Sequence, residues 1–143
     1  MSVPIDDGKC FACGPENPIG LRLRFEPATD GVRAHVVLAP EFQGWQNIAH
    51  GGIAMSLLDE AMAHAAGAAG HRGVTASMNV RFRKPVPLGE PLDLEGKVAW
   101  RRRNVLGLEA VLRNADGTTL ARADGQFVSM GSIDAATDRR NPS

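Results

Sequence analysis

His50-Gly51-Gly52 opens a run of small residues that leads to Asp59 and Glu60. Two successive glycines let another group approach the backbone closely, because no Cβ intervenes. A helix starting there offers free N–H groups and a positive dipole end, which suit an oxyanion developing on a carbonyl. Asp59, about two turns further on, is a candidate base or nucleophile for such a carbonyl. Together these residues point to acyl transfer. The plainer reading is a tight helix entry followed by a solvated carboxylate. Glu60 leaves the helix about 100° away from Asp59 and is the reserve carboxylate.

These residues need a helix to hold them, and the pattern predicts one. Ile53, Leu57, Ala61 and Ala65 form an apolar stripe, widened by Ala54, Leu58 and Met62, as a buried helix requires. Gly52, Ser56, Asp59 and Ala63 form a second line of mostly small residues, leaving room beside the carboxylate. Gly67, Gly70 and Gly73 are expected to end the helix. Ahead of it, Leu21, Leu23 and Phe25 alternate with Arg22 and Arg24, which predicts a first strand. Asp30-Gly31 marks a hairpin, and 32–38 reads as a second strand ended by Pro40. After the helix, strands are predicted over 74–84, 92–102, 105–114 and 118–129, with a turn at Asp116-Gly117. Residues 1–19 read as an irregular lead-in, 20–130 as one domain and 131–143 as a flexible tail. One helix cannot cover both faces of six strands, so the sheet curls around it or a second subunit covers the rest.

The 143 residues suffice for one domain with a sizeable core. Sixteen basic and sixteen acidic residues leave no global charge to attract nucleic acid or an anionic membrane. Tyrosine is absent and aromatics are 5%, which argues against base-stacking platforms. No apolar run approaches the roughly 18 residues of a membrane span, and the first residues lack the pattern of a signal peptide, so a cytoplasmic protein is expected. Cys10 and Cys13 could serve as a redox pair or as half of a zinc site, but a zinc site needs four ligands, no second pair exists, and only His35, His50, His64 and His71 could complete it. A loop, Gly14-Pro15-Glu16-Asn17-Pro18, follows them instead of the helix of a redox motif. The expectation is a reduced structural pair in a turn.

The chain resembles the hotdog-fold acyl-CoA thioesterases, in particular their phenylacetic-acid-type and THEM4-like branch. The matching segments are His50-Gly51-Gly52 with Asp59, Thr75-Ala76-Ser77-Met78-Asn79-Val80, and Arg83-Lys84-Pro85-Val86-Pro87-Leu88-Gly89-Glu90. Cys10-Phe11-Ala12-Cys13-Gly14, Asn17-Pro18 and Gly20-Leu21 also look like bacterial members. The resemblance implies an α+β hotdog fold: a six-stranded antiparallel sheet wrapped around one long central helix and paired into a homodimer, or into a homotetramer made of two dimers, with the site at the dimer interface. It implies that the Gly51 N–H polarises the thioester carbonyl. Asp59 of the opposite subunit would act as base or nucleophile, and Thr75 would position water. Asn47 would lie near the leaving sulfur. No metal or cofactor is implied.

Beside the resemblance, period-two alternation puts Thr75, Ser77, Asn79, Arg81 and Arg83 on one face of a strand. Arg81, Arg83 and Lys84 are candidates for coenzyme A phosphates, with Arg101-Arg102-Arg103 as a second basic cluster. Gly52, Ser77 and Asn79 complete the expected substrate-binding set. His50 reads as a loop-fixing residue, and His64 and His71 as surface residues. The alternatives to hydrolysis are a hotdog hydratase or dehydratase, which would use a histidine, and a non-catalytic acyl-CoA-binding module.

Overall fold

A computed structural model describes residues 3–132 of the chain. The apolar stripe folds as one helix, α1 (Gly51–Ala68), and Gly70, at a φ of 93°, turns the chain out of it. Six strands surround it: β1 (Glu26–Ala28), β2 (Gly31–Val37), β3 (His71–Phe82), β4 (Pro91–Arg102), β5 (Val105–Asn114) and β6 (Thr119–Ser132). All pairings are antiparallel and the strand order is β1-β2-β4-β5-β6-β3. This is the expected six-stranded sheet around one long helix. Leu57, Leu58, Ala61, Met62 and Ala65 of α1 are buried against Leu92, Leu94, Leu106, Leu108 and Leu112. Helix and sheet approach closely at Gly96, where a Cβ would run into the Ala61 carbonyl oxygen.

The sheet face away from the helix carries charge. Glu95 pairs with Arg33 at 3.7 Å and Arg113 at 3.2 Å, and Lys97 with Glu109 at 3.6 Å. Long strand β3 lies at the sheet's edge, with Val74 and Phe82 half exposed. No helix among the described residues is long and apolar enough to cross a membrane.

Two elements depart from the pattern. Residues 21–25 are not a strand, because Arg22 takes a left-handed φ of 56°. The alternation there is real, and Leu23 is buried, but the N–H groups of Leu21 and Leu23 bond to the carbonyls of Phe11 and Ala12, both at 2.9 Å. The irregular lead-in supplies those partners. It is packed, with Ala12 and Cys13 buried. The helix also runs through Gly67, and Gly73 already belongs to β3. The tail expected over 131–143 lies almost wholly outside the described residues.

Candidate active site

The loop before α1 is held by backbone bonds that aim its last residue at the helix axis. His50 N–H donates to the Phe42 carbonyl at 2.9 Å, and Ala49 N–H to Val86 at 2.8 Å. His50 is the N-cap, and its Nδ1 accepts from the Gly52 N–H at 2.9 Å, the loop-fixing role expected of it. Its carbonyl takes the N–H groups of Ile53 and Ala54. That leaves the Gly51 N–H as the first-turn donor with no bond among the described residues. A Cβ on Gly51 would meet nothing within 4 Å, so the helix start is open on that side. Asn47 shapes the preceding loop from a left-handed φ of 63°, its N–H donating to Gln43 Oε1 and its carbonyl accepting from Leu88.

Two turns along α1, Thr75 Oγ1 donates to Asp59 Oδ1 at 2.7 Å. Both line a cavity of about 580 Å³, walled by Ile5, Cys10, Ala63, Val74 and Phe127 among others. Eight helical residues separate Gly51 from Asp59, or about 12 Å along the axis. Within one chain, therefore, the free N–H and the carboxylate cannot both touch one carbonyl group.

Strand β3 carries an irregularity between Thr75 and Ser77, where the facing residues on β6 are Phe127 and Gln126. The extra residue breaks the alternation. Thr75, opposite buried Phe127, faces the helix. Ser77, Asn79 and Arg81 lie opposite Gln126, Asp124 and Arg122 on the outer face. They do not share the face of Thr75, contrary to the period-two reading. Arg83 and Lys84 follow the strand, exposed, with both N–H groups on the Leu120 carbonyl at 2.8 and 3.0 Å.

Several site-wall residues carry no signal in the sequence pattern. Arg72 is buried and donates to the Pro4 carbonyl at 3.0 Å, fixing the N-terminal segment over the cavity. His71 lines the same cavity, with its Nδ1 3.0 Å from Ser129 Oγ. His64 is no surface residue: it stacks on Phe25 and its Nε2 sits 3.2 Å from Glu60 Oε1. Glu60 is buried and accepts from the Cys10 thiol at 3.7 Å. The hydrogen bond from Cys13 pulls the Cys10 thiol down to about 6, helped by the backbone N–H groups of Cys13 and Ala12 and opposed by burial and Glu60. Cys13 is pushed up, by its bond to Cys10, by burial and by Glu60. Both thiols are free.

Residues 46–121 match the family described as the thioesterase superfamily. Acyl-coenzyme A thioesterase THEM4 of Bos taurus is 28% identical over 129 residues, which cover 88% of this chain and 53% of that protein. Acyl-coenzyme A thioesterase THEM5 of Mus musculus is 28% identical over 92 residues, 64% of this chain and 37% of that protein. The chain thus spans about half the length, or less, of these curated relatives. A crystallised thioesterase superfamily protein is 30% identical with a TM-score of 0.80, covering 90% of this chain and 68% of that one. A hypothetical thioesterase from Streptococcus pneumoniae TIGR4, crystallised with coenzyme A, shares the fold at a TM-score of 0.73 and 20% identity, covering 78% of this chain and 91% of that one. This chain belongs to the thioesterase superfamily.

Proposed function

We propose that this chain hydrolyses an acyl-CoA thioester to the free acid and coenzyme A, in a site shared by two copies. The hydrogen bond from Thr75 to Asp59, at the wall of a cavity beside an edge strand, carries the reading. A carboxylate held by a hydroxyl is aimed for one task, and the hydroxyl oxygen can still accept from a water. The 12 Å or so between Gly51 and Asp59 along one helix calls for a second subunit to bring one against the other. Pairing of β3 edges would do this and would cover an otherwise unpaired strand.

In the proposed reaction, the Gly51 N–H of one subunit binds the thioester oxygen as it becomes an oxyanion. Asp59 of the partner subunit takes a proton from water, whose oxygen adds to the carbonyl carbon. The C–S bond then breaks, and the thiolate leaves and is protonated to free coenzyme A. The same residues fit attack by Asp59 itself, followed by hydrolysis of the anhydride. Asn47, in the loop ahead of Gly51, is proposed to lie near the leaving sulfur, with Gly52 beside the acyl carbonyl.

Two observations support hydrolysis over histidine-based hydration. The four histidines have other neighbours: His35 meets Asp93 at 2.6 Å, His50 caps the helix, His64 meets Glu60 and His71 meets Ser129. Structures of the pneumococcal protein also include alanine variants at an aspartate and a threonine sixteen residues apart, and Asp59 and Thr75 are sixteen apart.

Free-thiol release from a panel of aliphatic and aromatic acyl-CoAs tests the proposal. Asp59→Asn is nearly isosteric and should keep the fold while lowering turnover by roughly 10²–10⁴-fold, the range for a general base. Equal release by wild type and variant would sink it, and binding without release in either would leave a non-catalytic binding module.

A further inference from the structure

We propose that Cys10, Cys13, Glu60 and His64 form a four-coordinate zinc site that fastens the N-terminal segment to the middle of α1. The ligand atoms of Cys10, Cys13 and Glu60 lie within 4.8 Å of one another, with Glu60 and Cys13 buried. Cys10 Sγ is 3.7 Å from Glu60 Oε1, and His64 Nε2 is 3.2 Å from that same oxygen. With Zn–S near 2.3 Å and Zn–O and Zn–N near 2.0 Å, the edges of a tetrahedron measure about 3.5 Å for S···O and about 3.3 Å for O···N. Both observed spacings fall close to those edges; His64 lies outside the mutually close group of Cys10, Cys13 and Glu60, so its ring has to shift toward the sulfurs to close the tetrahedron.

His64 supplies the sharpest indication. Its Nε2 is buried and makes no hydrogen bond, although the Glu60 carboxylate is 3.2 Å away. That nitrogen keeps its lone pair or proton for a further partner, and the Glu60 oxygen beside it also faces the Cys10 sulfur. Glu60 and His64 are four apart on α1, so both side chains leave the same face. The ring of Phe25 stacks on His64 with centroids 4.3 Å apart and sets the plane of the imidazole.

The cysteine turn has the form such a site needs. Gly14 N–H donates to the Cys10 carbonyl at 2.8 Å, closing the turn that brings both sulfurs to one side. A Cβ at Gly14 would lie 2.3 Å from the Cys10 nitrogen, so only glycine fits. Backbone N–H groups of Ala12 and Cys13 already reach the Cys10 sulfur and would support a bound thiolate. Two thiolates, one imidazole and one carboxylate are a donor set for zinc, and its binding would displace both thiol protons to solvent. Spacing alone leaves the set incomplete, because Glu60 lies fifty residues from Cys10 and only the fold brings it to the sulfur. The role is structural. Cys10, Asp59 and Glu60 line one cavity, so the metal would stiffen the wall that carries Asp59.

The test uses the full chain produced in zinc-supplemented medium. Elemental analysis should find about one zinc per chain. Cys13→Ser and His64→Ala should each lose most of it, while His35→Ala, at an exposed position of β2, should keep it. Wild-type protein reloaded with cobalt should show the strong visible bands of a tetrahedral site and thiolate charge transfer in the near ultraviolet, and Glu60→Gln should alter them. That spectrum needs no variant, so it decides the matter even where a substitution unfolds the chain. Metal-free protein whose mass is two hydrogens short, as a Cys10–Cys13 disulfide requires, would overturn the proposal. So would zinc retained in both Cys13→Ser and His64→Ala, or a cobalt spectrum lacking thiolate charge transfer.

Discussion

Thr75 reaches Asp59 because β3 is out of step with itself. The irregularity between Thr75 and Ser77 turns the hydroxyl toward the helix, where it meets Asp59 Oδ1 at 2.7 Å, while Ser77 faces the other way. Bulges re-aim side chains in this manner beside functional sites.

The pair is therefore separable by mutation. A hydrogen bond to a charged group is worth about 1.5–3 kcal/mol, or roughly 10–100-fold in rate if it is needed throughout the reaction. Thr75→Ala should lower kcat by that factor, less than Asp59→Asn does. Thr75→Ser keeps the oxygen and should recover most of the loss. Steady-state thiol release checks the ranking, and a serine variant as slow as alanine would remove the hydroxyl from the mechanism.

How much of this was legible depends on the range of the signal. The stripe Ile53, Leu57, Ala61 and Ala65 is local and strong, so the helix, its glycine start and the position of Asp59 follow from it. The positions of β2, β4, β5 and β6 along the chain follow from alternation and turn residues, but their order in the sheet, with β2 beside β4 and β3 at the edge beside β6, rests on pairings that local pattern does not carry. Alternation fails where one residue is inserted, so a period-two pattern puts Thr75 and Ser77 on one face although the strand separates them. It fails again at Leu21 to Phe25, where the partner strand is replaced by the carbonyls of Phe11 and Ala12. Contacts such as Cys10 with Glu60, or Pro4 with Arg72, join residues fifty or more positions apart and leave no periodic trace.

His50 should matter for stability as well as for geometry. Removing a side-chain cap destabilises a helix by about 0.5–2 kcal/mol. His50→Ala should lower the urea midpoint accordingly, and His50→Asn, which also caps, should restore most of it. An unshifted midpoint in His50→Ala would mean the bond to Gly52 contributes nothing.

The basic residues divide by face. Arg83 and Lys84 follow the end of β3, the edge strand, whereas Arg81 sits on the outer face opposite Arg122. If Arg83 and Lys84 hold coenzyme A phosphates, alanine at both should raise KM and leave kcat nearly intact, because contacts remote from the carbonyl bind ground and transition states alike. Arg81→Ala should change KM less. The opposite ranking would move the phosphates to the outer face with Ser77 and Asn79.

Assembly is testable without substrate. Light scattering at micromolar concentration should give a multiple of the 15.2 kDa chain mass, two or four copies. A stable 15.2 kDa particle would contradict a shared site.

Subunit complementation tests the shared site most directly. Gly51→Pro removes the one free first-turn N–H, and the helix should tolerate it: proline suits the first helical position, and His50, at a ψ of 138°, already has the extended backbone that precedes proline. Gly51→Pro and Asp59→Asn should each be nearly inactive alone. Co-expressed, they form mixed dimers in which one of two sites pairs an intact Gly51 with an intact Asp59 from the other chain. With random assortment, thiol release should return to roughly a quarter of the wild-type rate. If Gly51 and Asp59 act within one chain, every mixed dimer stays dead, and no recovery above the separate variants would contradict the shared site.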